Sequence, residues 1–395
     1  MSTMNMASTY RESEHLFRPD FVAWNKNDST VQIYCRIKPS EFLFERHTDD
    51  SFKARVYIRT ELIESYEVTK VTDSVSESFI FNLADKPDFR ILPITLSTHN
   101  HGKSLLHIFI LDENKGVQED FFVNLDRLSK PSRQDFLVTN IKNEPVFRNY
   151  LYLSDSVNIT YNDSTVKNFI CHYYHRDFDL AAPPYSFDVR SEFNYKPDSI
   201  FNLSIDKPKL VFDKEGFYHI MSDTSRKDGF TIFRFNGNYP EITNPRQMIE
   251  AARYLISKKE YDEINNAPSS KAMIDNFWLT HGGNEERSRA LIKKYYSRVR
   301  DANKYFSSFT EGWRTDRGMI YIMFGMPTSI YKSPESESWT YGTPNSSLAL
   351  NFFFIKVNNP FTENDYSLSR SPSYESNWFR AVETWRQGRA YNSYY

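Results

Sequence analysis

Short apolar runs separated by turn residues recur every 10 to 20 residues from about Phe21 to Leu125, and helical periodicity is missing there. The same pattern of runs resumes after residues 130–133 and ends near Pro240. This pattern is typical of antiparallel β-sandwiches. We therefore predict a flexible segment over residues 1–20, followed by two tandem antiparallel Ig-like β-sandwich domains over residues 21–130 and 131–241. The predicted runs include VQIYCRI (31–37), RILPITLS (90–97), SLLHIFIL (104–111), KNFICHYYHR (167–176) and KPKLVFD (207–213).

Aromatic residues make up 16% of the chain, with 32 Phe and 26 Tyr. Flat rings fill the half-buried faces of pleated sheets, so this content favours packed sheets before it favours a ligand site. The formal net charge is -2, which removes the general electrostatic argument for a nucleic-acid partner. No run approaches the ~20 apolar residues of a membrane helix. We expect no transmembrane segment, and peripheral or lipid-anchored association stays open.

The pattern changes at Thr243-Asn244-Pro245, where a polar cap precedes proline at the first helical position. Proline is favoured there because it has no N–H to lose and its φ is already set. We predict three helices, over about 245–261, from Ser269 or Ser270 to the Gly282-Gly283 pair, and from a cap at Asn284. The third places apolar residues on one face at three- and four-residue spacing: Leu291, Tyr295, Val299, Ala302 and Phe306.

After Gly312 the pattern predicts strands over GMIYIMFG (318–325), ESWTYG (337–342) and LALNFFFIKV (348–357). A last helix is predicted from Trp378 to about Arg386. Helices followed by a small antiparallel sheet indicate an α+β domain over residues 242–395.

Residues 312–316 read GWRTD and are followed by Arg317, Gly318 and, further along, ESWTY over 337–341. This stretch resembles the GWxTD domain of bacterial envelope proteins, and the resemblance spans roughly residues 245–390. It implies an extracytoplasmic location, in the periplasm or at the outer membrane, with envelope protein partners; a glycan ligand also stays open. The family has no established catalytic residues, so the resemblance favours a non-catalytic interaction or scaffold protein in an envelope complex.

The motif supports three interpretations. It can be a structural corner, in which Trp313 plugs the core, Thr315 and Asp316 cap a turn, and arginine bridges to Glu311 or Glu337. It can be a polar pocket for a ligand or partner, for which the candidate binding residues are Glu311, Trp313, Arg314, Asp316, Arg317 and Trp339. It can also be a hydrolase or glycan-acting site that uses Glu311 and Asp316 as paired carboxylates.

Recognisable catalytic and cofactor motifs are missing from the sequence: GxSxG, GxxxxGK[ST], GxGxxG and HExxH do not occur. Two histidine pairs, His99 with His101 and His172 with His175, lack the further ligands of a zinc site. We therefore expect no catalytic residue set, cofactor or metal. The two cysteines, Cys35 and Cys171, are expected to be buried apolar side chains, with a disulfide between them as the alternative.

Overall fold

The computed structural model describes residues 1–2, 4–10, 15–48, 50–85, 88–129, 131–187, 192–223, 227–344, 346 and 348–391. The chain forms two compact units. The β unit comprises Met1–Thr3, Ser8–Tyr174 and Pro197–Arg234. The C-terminal unit comprises Met4–Ala7, His175–Lys196 and Phe235–Tyr395. Of the segment predicted to be flexible, residues 3 and 11–14 lie outside the described residues.

The first part of the β unit contains two antiparallel sheets. Their inner faces share one core, to which β2 contributes Ile33, β6 Ile94, β4 Ile58 and β7 Ile108. One sheet has the order β1-β2-β6, and the other has the order β3-β4-β7-β8 with β5 paired to β4. The strands are β1 Asp20–Asn27, β2 Thr30–Ile37, β3 Glu45–Arg46, β4 Phe52–Ile63, β5 Val71–Asn82, β6 Arg90–Ser97, β7 Lys103–Asp112 and β8 Val117–Asp126.

The second part of the β unit has a separate core, which includes Phe136, Ile159, Cys171 and Ile220. Its sheets have the orders β10-β9 and β12-β11-β13-β14, and all pairs are antiparallel. The strands are β9 Phe136–Asn140, β10 Val157–Tyr161, β11 Asn168–Tyr174, β12 Ser199–Ser204, β13 Gly216–Met221 and β14 Phe230–Arg234.

The strands predicted from apolar runs are largely confirmed, because alternation of inward apolar residues is visible in the sequence of β2, β6 and β7. The strand predicted over residues 207–213 is wrong, since only an isolated bridge from Val157 to Leu210 forms there. Cys35 and Cys171 are both buried and free, which confirms their assignment as apolar side chains.

Four helices, rather than the predicted three, open the C-terminal unit. The predicted helix over 245–261 is two helices, because Ser257 starts a new one: its side chain accepts from Glu260 N, and the Glu260 carboxylate accepts from Ser257 N. Such a reciprocal capping box fixes a helix start. The caps predicted at Asn244 and Asn284 are confirmed, and the helix predicted to start from Ser269 or Ser270 begins at Ser270 with Ser269 as its cap. The helices are α1 Pro245–Ala252, α2 Lys258–Asn266, α3 Ser270–Gly282 and α4 Glu285–Phe306.

The strand predicted over residues 318–325 is wrong, since Asp316–Phe324 form helix α5. Every residue from Arg317 to Phe324 is buried. A helix buried on all sides has no polar stripe, so its apolar run cannot be distinguished from a buried strand by periodicity.

An antiparallel sheet of order β15-β16-β17-β18 and a last helix follow α5. The strands are β15 Ser329–Lys332, β16 Ser336–Tyr341, β17 Leu350–Lys356 and β18 Tyr366–Leu368. Helix α6, Glu375–Arg386, begins three residues before the position predicted for it. The fold is therefore β-rich, with antiparallel sheets first and an α+β region after them.

Candidate functional site

The GWRTD motif begins with a glycine that passes directly against α4. A Cβ on Gly312 would lie 1.9 Å from Ala302 O, so only glycine fits there. Residues Gly312–Arg314 then form one 3₁₀ turn, and Trp313 N donates to Asn303 Oδ1 over 3.2 Å. The Trp313 side chain is 1% exposed. The first half of the motif thus anchors a turn to α4 and buries its tryptophan.

Thr315 is the N-cap of α5. Its Oγ1 accepts from Gly318 N over 3.1 Å and donates to Gly312 O over 2.8 Å. A Cβ on Gly318 would lie 1.8 Å from Gly312 O, so this helix start needs a second glycine. The 3₁₀ turn and the start of α5 lie in one confined space. This geometry accounts for Thr315, which caps the helix, and for Gly312 and Gly318, whose positions leave no room for a Cβ atom.

Asp316 lies in the first turn of α5, where a negative charge is favoured by the helix dipole. Its Oδ2 accepts from Leu368 N over 2.7 Å and from Arg370 Nη1 over 3.0 Å, and its Oδ1 accepts from Arg370 Nη2 over 2.5 Å. The carboxylate side chain is 10% exposed. Asp316 therefore connects the start of α5 to β18 and orients the guanidinium of Arg370.

Arg317 and Glu337 form a buried ion pair, with Arg317 Nη1 3.0 Å from Glu337 Oε1 and exposed fractions of 1% and 2%. Trp339 Nε1 donates to Glu337 Oε2 over 3.0 Å, and Lys332 Nζ lies 3.5 Å from Oε1. Arg317 Nη2 also donates to Asn364 O over 3.0 Å. A buried charge is tolerated only when such bonds compensate its lost hydration.

Arg314 has a different environment from Arg317. Its Cζ lies 4.2 Å from the centre of the Trp313 ring, and its Nε is 3.2 Å from Glu311 Oε2. Its Nη1 donates to Phe178 O over 2.7 Å. Glu311 thus orients an arginine that reaches a distant part of the same unit.

The distant part is a segment that we call the strap, residues 178–186. Ala181 N donates to Arg314 O over 3.1 Å, and Arg370 Nη2 donates to Ala182 O over 3.1 Å. Ser371 N donates to Pro184 O over 3.1 Å. The strap contains no helix or strand, and it turns at its end, where Ser186 N donates to Pro183 O over 3.0 Å. The motif and its partner Arg370 therefore hold an irregular piece of the chain by its backbone.

Comparison with known families matches residues 216–387 to the model of the GWxTD domain. These residues form a GWxTD domain. The match confirms the resemblance drawn from the motif and begins upstream of it, at Gly216 in β13. No curated protein matches the chain.

The GWxTD domain brings the six predicted site residues into two groups. Arg317 and Trp339 meet at Glu337, whereas Glu311, Trp313 and Arg314 lie together at the strap. Asp316 reaches the strap through Arg370. Sequence reasoning missed the partners Asn364, Leu368 and Arg370 and the whole strap, because no local spacing connects them with the motif. The Pro183-Pro184 pair was the local signal of an irregular segment with a turn.

The C-terminal end of α5 in the GWxTD domain is also held by buried polar groups. Arg298 Nη1 donates to Ile322 O over 3.0 Å, Trp385 Nε1 donates to Met323 O over 3.0 Å, and Tyr341 OH donates to Gly325 O over 2.9 Å. Burial lowers the pKa of Arg298 to about 10. A cation at this end complements the helix dipole, so both ends of α5 are matched in charge.

No group of three or more His, Cys, Asp or Glu side chains among the described residues is arranged to hold a metal ion. The described helices also include none with the length and apolar character needed to cross a membrane.

Proposed function

We propose that this chain is a non-catalytic, extracytoplasmic interaction or scaffold protein of a bacterial cell envelope, as a component of or accessory to an envelope complex. The GWxTD domain is its contact domain. The two β regions, which we propose to be Ig-like sandwiches, act as spacers or docking surfaces. The location, in the periplasm or at the outer membrane, and the envelope partner rest on the family resemblance.

The observation that carries the proposal is that the ionic groups of the motif are engaged inside the domain. Asp316 is held by Arg370 and Leu368 N, and Glu311 is paired with Arg314. A general acid or base needs a carboxyl group that can exchange a proton with a substrate. Trp313, buried at 1% exposure, offers no platform for a sugar ring. These contacts favour a binding role over hydrolysis by paired carboxylates.

Exposed apolar side chains on the C-terminal sheet add support. Phe353 and Ile355 point to the same face of β17 and are 36% and 51% exposed. Their neighbours on β16, Ser338 and Ser336, are small. Apolar groups that remain exposed on one sheet face are typical of docking surfaces.

The proposal is tested by photocrosslinking in the native host, with a photoreactive residue placed at Phe353 or Ile355. The control position is Arg287, an exposed residue on α4. We expect discrete envelope-protein adducts from the two sheet positions and fewer from the control. Equal yields of adducts at all three positions would contradict a contact surface on this sheet. A phosphatase fusion that is active only outside the cytoplasm tests the location, and an inactive but intact fusion would refute it.

The hydrolase alternative has its own test. The purified chain is incubated with envelope glycan and with unfolded protein, and the products are followed by mass spectrometry. We expect no turnover above that of a Glu311→Gln variant. Turnover by the natural chain that the folded Glu311→Gln variant lacks would overturn the non-catalytic proposal.

A further inference from the structure

The connection between β11 and β12 is much longer than its geometry requires. The two strands are antiparallel neighbours, with Tyr173 opposite Ser199, and such neighbours can be joined by a two-residue turn. Here the connection includes His175–Lys196, which belong to the C-terminal unit. The strap lies within this connection, so its length serves the C-terminal unit rather than the sheet.

The GWxTD domain recognises the strap through its backbone. Four hydrogen bonds reach strap backbone groups: Arg314 Nη1 to Phe178 O, Ala181 N to Arg314 O, Arg370 Nη2 to Ala182 O and Ser371 N to Pro184 O. Backbone bonds select the path of a chain without selecting most of its side chains. A different segment of the same conformation can therefore make the same bonds.

The two arginines are also held by carboxylates of the GWxTD domain itself. Asp316 binds Arg370 through two hydrogen bonds, and Glu311 lies 3.2 Å from Arg314 Nε. Arg314 is further fixed by the ring of Trp313. Donors that are already ordered lose little entropy when they bind, which favours recognition of a flexible ligand.

Side chains of the strap add two aromatic anchors. The Phe178 and Phe309 rings lie 5.2 Å apart, and the Tyr185 and Phe379 rings lie 5.5 Å apart. Between the anchors, Pro183 and Pro184 have no N–H and a fixed φ, Pro184 is buried, and Pro183 O accepts from Ser186 N over 3.0 Å in a turn. The strap thus has the chemistry of a proline-containing recognition peptide.

We propose that the strap site is a peptide-binding site of the GWxTD domain. Its ligand is a segment of a partner protein with two consecutive prolines between aromatic residues, which follows the same path and turn as the strap, and the strap is its built-in occupant. This inference rests on the proposed interaction function and names the chemistry of the partner. The motif residues Glu311, Arg314 and Asp316 act in it by presenting two arginine donors.

The test uses the full chain with residues 177–187 replaced by a Gly/Ser linker of equal length. A fluorescent peptide of residues 175–187, HRDFDLAAPPYSF, is titrated and followed by anisotropy. We expect saturable binding to the linker chain and at least ~10-fold weaker binding to the intact chain, whose site is occupied.

Arg370→Lys in the linker chain should weaken binding by about 10-fold, because one bond from a charged donor is lost. Arg287→Ala is the matched control and should not change it.

A linker chain that keeps the tryptophan emission of the natural chain but shows no saturable binding would overturn the inference. Binding that neither Arg314→Lys nor Arg370→Lys weakens would also overturn it. The intact chain gives an independent measurement, in which saturating peptide should displace the strap and accelerate hydrogen exchange at Ala181. Unchanged exchange there would refute displacement even if the linker chain fails to fold.

The peptide itself provides the specificity control. Replacing Pro183 and Pro184 of the peptide with glycine should weaken binding by several-fold, since the free peptide then has more conformations to lose on binding. If the intact chain forms a dimer in sedimentation and the chain with the replaced strap does not, the site binds the strap of a second copy, and the assignment to a partner protein is overturned.

The two proposals can fail separately. Crosslinks at Phe353 without peptide binding would refute only the peptide-binding site, whereas peptide binding without crosslinks would refute only the contact surface on the C-terminal sheet.

Discussion

The first core of the β unit and the core around α5 are built from different chemistry. The former is mainly aliphatic, with Val, Ile and Leu from two sheets. The latter buries three tryptophans and the guanidinium of Arg317 among the largest enclosed side chains: Trp313, Trp339, Trp385 and Arg317. Apolar burial is non-directional, whereas a buried ion or indole N–H needs a partner at one place. The core around α5 is therefore more sensitive to the replacement of a single polar group.

The largest effect should come from removing one member of the buried ion pair. Arg317→Met leaves Glu337 with Lys332, whose Nζ is 3.5 Å away, and should cost about 3–5 kcal/mol of unfolding free energy. Five of the six tryptophans lie in the C-terminal unit, so urea unfolding followed by their fluorescence measures this loss. Arg287→Ala should stay within about 0.5 kcal/mol. If the Arg317→Met variant were as stable as the control, the core around α5 would be no more sensitive to a single substitution than the aliphatic core.

A pH-dependent effect of similar size is expected in the β unit, at His219 on β13. Its Nδ1 lies 2.9 Å from Thr231 Oγ1 and its Nε2 lies 2.8 Å from Lys227 O, and burial lowers its pKa to about 4. The unfolded chain, with a His pKa near ~6.5, binds this proton more readily. Stability is therefore complete above about pH 6.5 and falls by about 3 kcal/mol as pH drops to about 4.

The His219→Gln variant is the matched control, because an amide can make both hydrogen bonds without titrating in this range. Hydrogen exchange of β13 and β14 amides, compared between the two chains from pH 7 to pH 4, isolates the histidine contribution. Identical pH profiles would show that the β unit has no buried titrating group of this kind at position 219.

A smaller effect is expected for a single methyl group in the aliphatic core. Ile108→Val should cost about 1 kcal/mol, because the neighbouring side chains can partly close the space. Hydrogen exchange of β7 amides measures it. A loss of unfolding free energy as large as that of Arg317→Met would show that the aliphatic core is as sensitive to a single substitution as the core around α5.

The smallest effect is expected at the partly exposed pair of Glu260 with Arg386. Hydrogen bonds from Arg386 lower the pKa of Glu260 to about 2. The stabilisation is present above about pH 4.5 and is lost as pH falls toward about 2. Glu260→Gln should cost less than about 1 kcal/mol at pH 7, since solvent screens the pair. The natural and variant chains should be equally stable at pH 2, and a difference that persists there would contradict the ionic origin.

The same contrast explains which features the sequence could predict. Strands β2, β6 and β7 have inward apolar residues at every second position, and α4 has an apolar face, so periodicity identifies them. Helix α5 has neither pattern. The strand order, the pairing of Asp316 with Arg370 and the position of the strap depend on contacts between residues far apart in the chain. The motif therefore locates the candidate site, but its partners come only from the folded structure.

Helix α5 can complete its packing only late in the synthesis of the chain. The residues that hold its two ends include Leu368, Arg370 and Trp385, all of which follow it. At about 5–20 residues per second, the ribosome needs roughly 3 to 12 s after Phe324 to reach Trp385. During that time the apolar residues 319–324 lack their final cover and are open to unwanted association. This helix is therefore completed only when almost the whole domain has emerged.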